Sequence, residues 1–115
     1  MTEPQLPSVP EVRPDVAAAM MEKGAMMVDV RETIEWESVH IDGAVLKPMS
    51  GIQQWWQELP RDVDLIIQCR SGARSAEVTD ALIHQAGFER VFNLAGGIIA
   101  WHSSGLPIER RSEAD

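Results

Sequence analysis

The sequence predicts an α/β domain, a parallel sheet covered by helices on both faces. Short apolar runs alternate with stretches of helical spacing along the chain. Two of those runs, Met26–Val30 and Leu65–Gln68, are largely apolar on both faces, as in strands sandwiched between helix layers. Gly24, Gly87 and Gly105 follow three of the helical stretches as stop signals.

Taken in order, residues 1–8 are Pro-rich and polar and read as a flexible N-terminal tail. Ser8–Val12 suits an edge strand, because Pro10 is tolerated only at a sheet edge. Pro14–Lys23 carries helix signals: proline in the first turn, Asp15 at the positive end of the dipole, and Val16, Met20 and Met21 on one face. Met26–Val30 is a buried strand, a short helix runs from Arg31 to about Ser38, and Ala44–Leu46 is a third strand. Ser50 and Gln53 form a capping-box pair ahead of Ile52, Trp55, Trp56 and Leu59 at i, i+3, i+4, i+7, with Pro60 as the end. Leu65–Gln68 is the central strand, Ser75–Ala86 its helix, Glu89–Leu94 a fifth strand, and Gly96–Gly97 opens a last helix with Ile98, Trp101 and His102. Residues 9–108 form the domain and 109–115 a charged tail.

At 115 residues the chain supports one core without disulfides. Its single cysteine excludes an internal disulfide, a Cys-only metal site and an internal resolving thiol. The histidines lack ligand spacing with one another or with Cys69, so no metal and no cofactor is expected. The start of the chain has neither a basic region nor an apolar core, and no run approaches the roughly 20 residues of a membrane span, so a cytoplasmic protein is expected. A net charge of −8 argues against nucleic acid as a partner, and without a spanning run no membrane partner is expected.

Against that acidic background stands one cationic loop, Cys69-Arg70-Ser71-Gly72-Ala73-Arg74-Ser75, between the central strand and its helix. A loop so placed turns backbone N–H groups inward, and the helix start adds the positive end of its dipole. Sulfur in such a cradle sits where negative charge is stabilised, and the thiolate is the nucleophilic form of cysteine. Arg70 and Arg74 add permanent positive charge, and Gly72 permits a tight turn. Most lone cysteines are simply small buried hydrophobes. A buried hydrophobe, however, needs neither the glycine nor the two arginines. In open parallel sheets ligands bind at the carboxyl ends of the strands, which is where Cys69 stands.

The motifs of the chain resemble those of the rhodanese domain, in the family's order. Asp29-Val30-Arg31 resembles its D-V-R, Glu35-Trp36 its acidic–aromatic pair, and His40-Ile41-Asp42-Gly43-Ala44 its G-H-I-x-G-A turn, with Val39 where the family usually has glycine. Cys69–Ser75 resembles its catalytic loop, Gly96–Trp101 its G-G-x-x-x-W helix, and Gly105-Leu106-Pro107 the exit from that helix. The resemblance covers about Pro14–Ile108. It implies a three-layer α/β/α sandwich on a five-stranded parallel sheet, and a sulfurtransferase of the thiosulfate:cyanide type. In that reaction Cys69 becomes a persulfide, and Arg70, Ser71, Gly72, Ala73, Arg74 and Ser75 hold the donor, with Asp29 and Arg31 in support. The partners implied are a small anionic sulfur donor and an acceptor: cyanide, a thiol, a dithiol or a sulfur-carrier protein.

Two other functions compete. The same fold houses phosphatases and arsenate reductases with a C-x5-R loop, whereas Cys69 and Arg74 here give C-x4-R, a loop suited to sulfur rather than a tetrahedral oxyanion. A sulfur-relay or persulfide-binding module shares the chemistry and differs in partner. Asp29 and Arg31 read as a salt-bridge and turn network, Glu35 as the i+4 partner of Arg31, and His40 as a hydrogen-bonded turn residue rather than a base. Trp36 and Trp101 read as core. Of the adjacent Trp55 and Trp56, one fits the core and the other an edge.

Overall fold

The computed structural model describes residues 7–111, so the expected tails lie largely outside it, at residues 1–6 and 112–115. Strand β1 is Glu11–Val12, helix α1 Pro14–Glu22, β2 Met26–Asp29, α2 Thr33–Ser38, β3 Val39–Ile41 and β4 Val45–Leu46. Then follow α3, Ile52–Trp55, with a 3-10 turn on either side, β5 Leu65–Gln68, α4 Ala73–His84, β6 Val91–Leu94, α5 Gly97–Ser103 and β7 Ile108–Arg110. Five strands form one sheet in the order β1-β6-β5-β2-β4, and every pairing in it is parallel. The α/β/α sandwich with a five-stranded parallel sheet is therefore present.

Two cores flank the sheet. One gathers Val28, Leu65, Ile67, Val78, Leu82 and Trp55 under α3 and α4. The other gathers Ala17, Met27, Ile66, Leu94, Ile98 and Trp101 under α1 and α5. Alternate residues of β5 supply opposite cores, and Leu65, Ile66 and Ile67 are all fully buried, hence the uniformly apolar strand. The chain passes from β2 outward to β4 and returns across β2 to place β5 on its other side. The strand order thus switches between β2 and β5, and the carboxyl ends of these two strands carry the loops described below.

Several sequence expectations change. Ser50 caps no helix: its hydroxyl donates to Glu32 Oε1 at 2.8 Å, and the first turn after Pro48 is 3-10. The capping box belongs instead to α2, where Glu32 and Glu35 satisfy each other's backbone N–H groups. Lastly, β3 and β7 form a small antiparallel ribbon, Val39 against Arg110 and Ile41 against Ile108, so Glu109 and Arg110 are strand residues rather than tail. Trp36 is only half-buried and stacks on His40, ring centroids 3.7 Å apart, whereas Trp101 is core. His40 lies in β3, with Nδ1 at 3.0 Å from Trp36 O and Nε2 at 2.8 Å from Glu109 Oε2. Trp55 is the buried member of its pair, and Trp56 lies over a groove against Ala81 and Leu82 of α4 and Gln85 just after it.

Candidate active site

Cys69 follows the last residue of β5 and is 1% exposed, so only a small group reaches its sulfur. The chain then turns through Arg70 and Ser71 to Gly72, whose φ of 108° is reserved in practice for glycine, and α4 begins at Ala73. This turn aims the Gly72 N–H at Sγ (3.1 Å) and brings the Ser75 N–H, in the first turn of α4, to 3.4 Å. The expected cradle therefore exists, and its two amides are those of Gly72 and Ser75.

The Ser75 hydroxyl lies 3.3 Å from Sγ and 2.5 Å from Asn93 Oδ1. It has one proton to give, and the shorter contact takes it. The Asn93 amide is oriented by its Nδ2, which donates to Glu11 Oε2 at 3.1 Å and to Gly72 O at 3.2 Å. Asn93 thus links β1, β6 and the Cys69 loop. Sequence reading missed it, although one signal was present, a polar residue inside the apolar strand Val91–Leu94.

The underside of the loop is held by α5. Ile98 N–H donates to Cys69 O at 2.9 Å and Ile99 N–H to Arg70 O at 3.2 Å. Gly97 makes this approach possible: a Cβ there would overlap both carbonyl oxygens. Gln68, fully buried, adds a third restraint by donating Nε2 to Cys69 O at 2.6 Å. Its own Oε1 is the one buried side-chain polar atom without a partner among the described residues. Leaving an acceptor unpaired costs about 1–3 kcal/mol, a cost set against fixing the peptide that follows the nucleophile.

The two arginines of the loop separate. Arg70 is exposed, and among the described residues its guanidinium has no ion-pair partner. Arg74 forms a bidentate pair with Glu35, Nη1 to Oε1 and Nη2 to Oε2, both 2.8 Å. This revises two expectations: Glu35 is not the partner of Arg31, and Arg74's donors are spent on α2, leaving its charge to act at the loop. Arg31 precedes α2, outside the helical spacing, and grips Asp29 instead. Its Nε and Nη2 reach the carboxylate at 3.0 and 2.8 Å, and Nη2 also donates to Val39 O at 2.6 Å. The expected Asp29–Arg31 network is therefore present, fully buried, and ties the end of β2 to β3. Ser71 and Ala73 are exposed on the rim. Among the described residues no cluster of three or more His, Cys, Asp or Glu fits a metal ion. None of their helices is long and apolar enough to cross a membrane.

The Arg74 hydrogen bonds hold the Glu35 carboxyl at about 2, below its ordinary 4.5, against the opposing effect of partial burial. A carboxyl depressed in the folded state stabilises it fully once pH exceeds the unfolded value near 4.5. That contribution drains away as pH falls through about 2. The pair is partly exposed, so its worth is about 1 kcal/mol rather than that of a buried bidentate pair. Glu35→Gln should therefore lower stability by about 1 kcal/mol at pH 7. The variant should approach wild type near pH 2, as urea midpoints at the two pH values will show. An equal deficit at both would put the effect in packing, not charge.

With this geometry in view, the comparisons with known proteins are specific. A family model described as "Rhodanese-like domain" matches residues 13–104. A sulfurtransferase of Allochromatium vinosum is 46% identical over 83 residues, covering 72% of this chain and 77% of its own. The thiosulfate sulfurtransferase GlpE of Haemophilus influenzae is 32% identical over 102 residues, covering 89% and 96%. The probable adenylyltransferase/sulfurtransferase MoeZ of Mycobacterium tuberculosis is 44% identical over 83 residues, but the match spans only 21% of its length. Among solved structures, a rhodanese-related protein from Thermoplasma volcanium superposes with a TM-score of 0.79 at 26% identity, covering 88% of this chain and 98% of that one. With sulfurtransferase relatives matched over most of their length, the chain belongs to the rhodanese-like domain family.

Proposed function

We propose that the protein moves a sulfane sulfur from a small anionic donor such as thiosulfate, through a persulfide on Cys69, to cyanide, a thiol or a carrier protein. The observation that carries this reading is the sole thiol of the chain, buried, with the Gly72 and Ser75 N–H groups converging on its sulfur. The Cys69 thiolate attacks the outer sulfur of thiosulfate, and sulfite leaves with the electron pair of the broken S–S bond. The acceptor then attacks the outer sulfur of the persulfide, and Cys69 departs as thiolate. The persulfide is anionic at its outer sulfur, so fixed N–H groups stabilise it as they would an oxyanion. Arg70, beside the nucleophile and unpaired among the described residues, suits the oxyanion end of the donor. Arg74 contributes charge, and Asp29 and Arg31 brace the adjoining strand end. The relative named a thiosulfate sulfurtransferase supports the choice of donor. A reducing compartment such as the cytoplasm suits a chain whose chemistry needs a free thiol.

Protein treated with thiosulfate alone should gain the mass of one sulfur atom, and dithiothreitol should remove it and release sulfide. Double-reciprocal plots at several acceptor concentrations should be parallel. Intersecting lines with no adduct on Cys69 would overturn the persulfide route. Hydrolysis of an aryl phosphate faster than sulfur transfer would instead favour the phosphatase reading.

Arg70→Ala should lower kcat/KM for thiosulfate roughly 10- to 150-fold, the worth of a charge-assisted contact of about 1.5–3 kcal/mol. The thermal midpoint should barely move, since the side chain is exposed. Unchanged kinetics would return Arg70 to an ordinary solvated residue.

A further inference from the structure

Asn93 and Cys69 lie on one face of the sheet. Asn93 pairs with Ile67 of β5, two residues before the nucleophile, and side chains two apart in a strand share a face. Asn93 is buried there, and its amide has only one workable orientation. Gly72 O and the Glu11 carboxylate are acceptors, so the amide nitrogen must face them, at 3.2 and 3.1 Å. The amide oxygen is thereby turned to Ser75 and takes its hydroxyl proton at 2.5 Å. A flipped amide would set its oxygen against two acceptors at once. Among the described residues, the Ser75 hydroxyl is also the only side-chain group within hydrogen-bonding distance of the Cys69 sulfur, 3.3 Å away. Without Asn93 it would donate there. With its proton committed, it shows the sulfur a lone pair, and the donors left to the sulfur are the Gly72 and Ser75 N–H groups.

We propose that Asn93 is a positioning residue for the nucleophile. It holds the Ser75 hydroxyl proton off the Cys69 sulfur, so the thiolate is met by backbone N–H groups alone and keeps its reactivity. The inference rests on the persulfide reading above and deepens it. The physical reason is a trade-off. Each further hydrogen bond to a thiolate stabilises it, so that it forms at lower pH. The same bond makes it a weaker nucleophile, since attack on sulfur follows thiolate basicity with a slope of about 0.4–0.5. Above the pH at which the thiolate forms, a third donor adds no thiolate and only slows its attack. Glu11 acts one step further out, by helping to fix which end of the Asn93 amide faces Ser75.

The test is single-turnover persulfide formation from thiosulfate, followed by intact mass across pH. Asn93→Ala frees the hydroxyl to turn to the sulfur, so the pH–rate profile should move about one pH unit toward acid. The plateau at high pH should fall about threefold, and the rate on the acid limb should rise about threefold. The two profiles therefore cross, whereas mere loosening of the loop lowers the rate at every pH. The charged groups around the site stay the same in both proteins: Arg70 on the loop, Arg74 on α4, Glu35 on α2, Asp29 and Arg31 at the end of β2, and Glu11 on β1. In a Ser75→Ala background, Asn93→Ala should produce no acid displacement. Methyl methanethiosulfonate, which modifies thiolates without a sulfane donor, should report the same crossing. That crossing without any sulfur adduct from thiosulfate would sink the persulfide reaction and leave Asn93 its role. Should Asn93→Ala fail to fold, the wild-type protein still answers. As pH rises through thiolate formation, the Gly72 and Ser75 amide protons should shift in the NMR spectrum, and the buried Ser75 hydroxyl proton should not. A hydroxyl resonance that moves with the amides would overturn the proposal. So would an Asn93→Ala profile that keeps its place on the pH axis, or a displacement that persists without the Ser75 hydroxyl.

Discussion

Cys69→Ser is expected to fold as wild type and to lose sulfur transfer to background, a fall of about a thousandfold or more in kcat/KM. The hydroxyl is smaller than the thiol but accepts from the same Gly72 and Ser75 N–H groups, so the buried site stays satisfied. Stability should change by about 1 kcal/mol or less. What the variant lacks is an atom that forms a stable bond to sulfane sulfur and leaves readily afterwards. Treatment with thiosulfate should add no mass. Measurable turnover in Cys69→Ser would move the chemistry elsewhere, and this chain has no second thiol to receive it.

Gly97→Ala should be strongly destabilising. Two effects add. The residue has φ of 60°, which costs a side-chain-bearing residue about 1–2 kcal/mol. The new methyl would also drive into the Cys69 and Arg70 carbonyls, and overpacking against backbone costs about 1–3 kcal/mol more. A loss of about 2–5 kcal/mol is a large share of a typical domain's stability of about 5–15 kcal/mol. Gly87→Ala separates the two terms. Its φ is 72°, yet nothing lies within 4 Å of the added Cβ. It should lose only the conformational part and keep full activity. In Gly97→Ala the loop must shift to admit the methyl, so the fraction still folded should also transfer sulfur more slowly. Equal urea midpoints and equal specific activities for the two variants would remove the case for a close-approach role at Gly97.

The parts of the site that were legible in the sequence are those written within one short segment. Cys69, Gly72 and the start of α4 lie within a few residues, so spacing alone specifies a strand end, a tight turn and converging amides. The buried parallel strands were legible for a similar reason, since burial on both faces leaves its mark on each strand separately. What escaped is pairing at a distance. Nothing near Arg74 announces Glu35, 39 residues away in the chain, and nothing near Asn93 announces Glu11, 82 away. The β3–β7 ribbon joins two three-residue strands, too short for either to declare itself. The misplaced capping box has another cause. Ser50-x-x-Gln53 and Glu32-x-x-Glu35 both fit a cap by spacing, but only the second opens an α-helix directly, and the Ser50 hydroxyl is taken by Glu32.

The strand order has a consequence for how this site comes into being. β1 pairs with β6 alone, Glu11 beside Asn93, so the first strand made has no partner until the last strand of the sheet exists. During synthesis the cysteine emerges well before Asn93, Gly97 and Ile98, the residues that orient and brace its loop. A nascent chain therefore carries its thiol for some time without the enclosure that later restricts access to it. Contacts so remote in sequence also slow the search for the folded state. The interval before the chain's final third arrives is when Cys69 is least enclosed, and so most open to unwanted oxidation.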